Sequence, residues 1–63
     1  MPWTAERYPP SMQRLAPVVR LKAIEIANAL LAEGMDEGLA IRIAIAKAKE
    51  WALRRGADPI ARW

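Results

Sequence analysis

The chain contains no cysteine, no histidine and no phenylalanine. The first two absences remove most of the raw material of enzyme chemistry: without imidazole or thiol there is no ordinary nucleophilic triad, no thiolate nucleophile and no nitrogen- or sulfur-based metal site. Disulfide staples are excluded as well, although a cysteine-free chain is compatible with either redox environment. Glycine is scarce, and Gly34, Gly38 and Gly56 lack both the spacing and the preceding strand of a phosphate-cradling loop. Long apolar runs are missing too, because charged residues interrupt every apolar stretch well short of the roughly 20 residues that a membrane-spanning helix needs. The start Met1-Pro2-Trp3 has neither the basic region nor the continuous apolar region of a secretory leader. These absences predict a cytoplasmic, non-catalytic chain with no resident cofactor, no metal and no membrane insertion.

What remains is 63 residues, 54% hydrophobic against 27% charged, too apolar for a disordered tail and sized for one small domain of marginal stability. With the usual staples of small domains absent, stability has to come from close helix packing or from association. Ten Lys and Arg against seven acids give a net charge of +3. That mild excess permits acidic or nucleic-acid partners without requiring them.

Residues 1–10 hold three of the five prolines, Pro2, Pro9 and Pro10, which remove donors and push their predecessors toward extended backbone. An extended arm is expected, with Trp3 and Tyr8 packing back on the rest of the chain, since so short a sequence gains much from burying both rings. A short helical turn over 11–15 follows, with Ser11 as its cap. Pro17 suits the first position of a helix, where a missing amide costs nothing, so the first long helix is placed over 17–33. At about 100° per residue, Val19, Ala23, Ile26, Ala27, Leu30 and Leu31 share one side, with Ile24 at the edge, while Lys22, Glu25, Ala29 and Glu33 fall opposite. Gly34 fits a left-handed helix ending with Met35 folding back on Leu30. Asp36 is placed to cap a second helix over 37–55, with Glu37 favourable to its dipole. The fold class predicted is all-α: a helical hairpin with an aromatic arm and a tail over 56–63, from which Ile60 and Trp63 are candidates to return to the hairpin.

The second helix has two apolar sectors. Ala40, Ile41, Ala44, Ile45, Ala48, Trp51 and Ala52 form one, whose small residues allow a neighbouring backbone to come close. Leu39, Ile43, Ala46 and Leu53 form another, separated from the first by Arg42 and Lys49 on one side and by Lys47 and Arg54 on the other. A single facing helix cannot cover both, so the second sector needs the arm, the tail or another polypeptide. Leu39, Ile43, Ala46 and Leu53 are therefore the candidate protein-interaction residues, with another protein or a second copy as partner. Arg42, Lys47, Lys49 and Arg54 are the candidate residues for the alternative, a nucleic-acid-binding helix resting on phosphates; Glu50, close to Lys47 and Arg54 by angle, counts against it.

Other polar features read as structural. Glu33, Asp36 and Glu37 crowd the inter-helix corner and could bind a cation weakly, but without the spacing of a calcium loop they are read as capping and solvated residues. Asn28, at the margin of the first apolar side, either bonds the backbone of the arm or faces water. Arg20 lies inside that side near the first turn, where its stem can carry the guanidinium to Glu6 or to the chain end, or where it marks a partner surface; the structural reading is preferred.

The runs Met1-Pro2-Trp3, Tyr8-Pro9, Val18-Val19-Arg20, Lys22 to Ala29, Glu33-Gly34, Asp36-Glu37-Gly38, Ala40-Ile41 and Ala44 to Ala52 resemble a group of short uncharacterised bacterial proteins and the N-terminal segment of YdaT-type proteins of bacilli. The proline-aromatic start, the Asn of the first long helix and the Ala-rich, Trp-bearing second helix are similar, more distantly, to the ChaB family, named for cation transport regulation. The inter-helix linker is shorter than is usual in ChaB. These resemblances imply a small helical bacterial protein of the cytoplasm. They carry over no catalytic residue, and a role in transport would have to run through a partner.

Overall fold

The computed structural model describes residues 3–60. Two helices, α1 (Pro17–Ala32) and α2 (Glu37–Arg54), follow a 3-10 helix over Pro10–Met12. The only strand-like pairing among the described residues is an isolated bridge between Leu15 and Ile60. The chain is an all-α helical hairpin, as its patterning predicts.

Local chemistry explains where each helix begins and ends. Pro17 opens α1 with its fixed φ and absent donor, after an Ala16 that offers no side-chain cap. Ala16 is instead held from a distance: its amide donates to the Pro59 carbonyl at 3.0 Å. At the other end Gly34 takes φ 92°, a conformation that costs a residue with a β-carbon about 1–2 kcal/mol. The Met35 amide then donates to the Leu30 carbonyl and the Gly34 amide to that of Leu31, at 3.1 and 3.0 Å, which is the Schellman ending. Two residues on, the Asp36 carboxylate accepts from the Leu39 amide at 3.2 Å and satisfies a donor that the first turn of α2 leaves open. Gly56, at φ 74°, ends α2 in the same way, with Ala57 donating to Ala52 and Gly56 to Leu53.

Helix packing follows from an alanine repeat. Ala40, Ala44, Ala48 and Ala52 recur every fourth residue and are completely buried, as are Ala23 and Ala27 of α1. Side chains of one carbon let the two backbones approach closely and leave Ile41, Ile45 and Trp51 to flank the seam half-buried. Lys22 of α1 closes one edge, with Nζ 5.5 Å from the centre of the Trp51 ring and 2.9 Å from Glu25.

An alanine seam buries little area per residue, so the chain needs a second source of core. The arm and its 3-10 turn supply it. Met12 and Leu15 are buried beside Val19, with Trp3 and Tyr8 packed against the same cluster. Asn28 fixes the arm by two bonds: its Oδ1 accepts from the Trp3 amide at 2.8 Å and its Nδ2 donates to the Trp3 carbonyl at 2.9 Å. The side-chain amide pairs with the backbone much as a neighbouring strand would. The Trp3 indole Nε1 is buried and meets no acceptor among the described residues.

Three expectations need correction. Arg20 does not reach Glu6, and the chain ends lie outside the described residues; its Nε donates to the Met12 carbonyl at 3.2 Å, and its Nη2 donates to the Gln13 and Leu15 carbonyls at 2.9 and 3.0 Å. The guanidinium also lies 4.7 Å from the centre of the Tyr8 ring. A three-residue helix leaves most of its carbonyls without an internal partner, and the planar fork of arginine is suited to collecting them. Ser11 is not a cap: Pro9 holds that position and Ser11 lies inside the turn. Ile24 is not marginal either. It is 6% exposed because it stands between Arg20 and Asn28 on α1, the two residues that tie down the arm. Helix α1 is therefore the central member, with α2 on one flank and the arm on the other.

Candidate interaction surface

The Asp36 cap sets the first turn of α2, and with it the angular position of every residue that follows. The alanine repeat then turns one side of α2 into α1, which directs the opposite side outward. Leu39 is 45% exposed and Leu53 65% exposed, and between them Ala46 is exposed and Ile43 half-buried. These four share one stripe with Glu50: Leu39, Ala46 and Leu53 recur every seventh residue, and Ile43 and Glu50 interleave four residues after Leu39 and Ala46. This is the spacing of a coiled-coil seam.

Among the described residues, neither structural element expected to cover the stripe does so. The arm runs along α1, anchored by Asn28 and Arg20. The tail as far as Ile60 returns to Leu15 and packs on the arm side of the core. Trp63, the other candidate for return, lies outside the described residues.

The basic residues border the stripe without merging into one patch. Arg42 and Lys49 line one flank, Lys47 and Arg54 the other. Arg42, Lys47 and Arg54 are exposed and Lys49 is half-buried. Arg54 Nη2 lies 3.0 Å from Glu50 Oε1 across one turn. Both groups are well exposed, so the pair contributes little to stability. The other ion pair among the described residues is Lys22–Glu25, which leaves Arg42, Lys47 and Lys49 without a carboxylate partner there.

Sequence reasoning passed over one apolar pair. Val18 and Leu21, 64% and 53% exposed, stand on the arc of α1 that also holds Glu25 and Ala29. Their angle identified that arc as solvated, and the intervening Glu25 breaks it as an apolar stripe. Glu33, Asp36 and Glu37 do not form a metal cluster; among the described residues no group of three or more potential ligands is assembled. No helix there is long and apolar enough to cross a membrane.

The geometry defines a class, a small all-α hairpin displaying a basic-edged apolar stripe. Comparison with known proteins adds one relative. The chain is 53% identical over 60 residues, 95% of its length, to the uncharacterized protein YdaT of Bacillus subtilis (strain 168). The match lies in the N-terminal part of that protein and spans 40% of it. No family model matches the chain, and the likeness to ChaB rests on sequence motifs alone. No solved structure matches it.

Proposed function

We propose that the chain is a non-catalytic, cytoplasmic protein-interaction module whose contact residues are Leu39, Ile43, Ala46 and Leu53, engaging another protein or a second copy. The reading rests on one observation: with the arm and the described tail both packed elsewhere, two leucines on a seven-residue repeat stay about half exposed or more. A domain this small gains most of its stability from apolar burial, so leaving these side chains in water is a cost that association offsets. A photo-crosslinking residue placed at position 39 or 53 in the native host should yield protein adducts, and Ile43→Glu should abolish them. Absence of protein adducts at both positions rejects the proposal.

A nucleic-acid-binding role is the second reading, favoured by the lack of carboxylate partners at Arg42, Lys47 and Lys49. It requires salt-sensitive binding of a mixed-sequence duplex in sedimentation, lost on joint charge reversal at Lys47 and Arg54. Retention of duplex binding by that variant would remove those contacts from consideration.

A further inference from the structure

The proposal above leaves open what occupies the α2 stripe, and the charges at its edges narrow the choice. In a two-helix seam the residues flanking the apolar positions face those of the partner helix and select partner and orientation. Here the flanks are Arg42 and Lys49 on one side and Lys47 and Arg54 on the other. If a second copy docked in parallel, one flank would face the other; if it docked antiparallel, each flank would face itself. Both arrangements set cations against cations. The single carboxylate in the stripe, Glu50, is already 3.0 Å from Arg54, and one such group per copy does not offset four cations per copy. Like charges placed across a seam work against that pairing and in favour of a complementary one.

Resting on the reading of the chain as an interaction module, we infer that the occupant is an amphipathic helix of a different polypeptide, with an apolar seam bordered by Asp and Glu. Leu39 and Leu53 lie two heptads apart, so the partner segment is at least four turns long. Ala46 midway calls for a large apolar residue opposite it, and Glu50 for a small or basic one. An anionic lipid surface or a nucleic acid would also satisfy the cations. The lipid surface has no use for a carboxylate in the middle of the apolar stripe, and phosphates have none for Leu39 and Leu53 at its ends.

The test uses the chain itself as the source of probe. The variant Arg42→Glu, Lys47→Glu, Lys49→Glu, Arg54→Glu retains the apolar stripe and gains acidic flanks. Sedimentation should find wild type and variant each monomeric alone and associated when mixed. Mixed association should be about sixteenfold tighter than either self-association for four exchanged contacts, two at each flank, at about a factor of two per exposed ion pair, and should weaken as salt rises. Circular dichroism of the variant first establishes that it is folded; a wild-type titration with a synthetic Leu-seam peptide bearing Glu or Gln flanks provides the same comparison without it. Preference for the Glu peptide supports the inference. Equal binding of both peptides overturns the charge argument while leaving the interaction module standing, as does wild-type self-association through Leu39 at the same concentrations. Failure of every helix to bind, or binding only to anionic vesicles or duplex, overturns both.

Discussion

Replacing Arg20 with methionine keeps the aliphatic stem and removes the fork that holds the arm. Three hydrogen bonds disappear, to the carbonyls of Met12, Gln13 and Leu15. The Gln13 contact is exposed and the other two are partly buried, so roughly 0.5–1 kcal/mol each is the appropriate scale. The contact with the Tyr8 ring at 4.7 Å adds about 0.5–1 kcal/mol. The sum is about 2–4 kcal/mol, set against the roughly 3–5 kcal/mol that a single core supplies to a chain of this size. At about 4–8 °C per kcal/mol, Arg20→Met should lower the thermal midpoint by about 8 °C or more or remove the cooperative transition altogether. Far-UV circular dichroism reads that change. Arg20→Lys should recover less than half of it, because an ammonium cannot present donors to three separated carbonyls in one plane. A midpoint for Arg20→Met within about 2 °C of wild type, or full recovery by lysine, would refute the anchoring role.

Two further substitutions probe the other contacts that define the fold. Asn28→Ala should destabilise the chain by about 1–2 kcal/mol through two lost hydrogen bonds, with faster amide exchange at Trp3 than in wild type; unchanged exchange would mean the arm is held without Asn28. Ala48→Leu forces a branched side chain into a fully buried position and should cost about 1–3 kcal/mol in urea denaturation, whereas the same change at exposed Ala46 should stay within about 0.5 kcal/mol.

The hairpin was legible because its signals are local. Pro17, Gly34, Asp36 and Gly56 each act within a turn of their own position, and the fourfold alanine repeat identifies the inner side of α2 without reference to anything else. The same periodicity separates the outward stripe from the inward one. What it does not contain are the paths of the arm and the tail, and three details depended on those paths. Ile24 is buried on the side of α1 that carries the arm's anchors Arg20 and Asn28, Arg20 has carbonyls to bind because a 3-10 turn stops beside it, and the Ala16 amide has an acceptor because the tail brings the Pro59 carbonyl back to it. Each of those contacts joins residues whose separation in sequence carries no periodic trace. Whether the outward stripe is covered belonged to the same class of question, since it turned on where arm and tail run.

The bridge between Leu15 and Ile60 also shapes how the chain acquires its structure. Helices and a tight hairpin corner assemble from near neighbours and form quickly. The clasp must wait for two points 45 positions apart along the chain to meet, at an entropic cost set by the loop between them. That order predicts a contact made after the barrier is crossed, and such contacts act mainly on the rate of opening. Substitutions at Leu15, Ala16, Pro59 and Ile60 should speed unfolding, while substitutions in the alanine seam should slow folding, a division that the two arms of a chevron plot read.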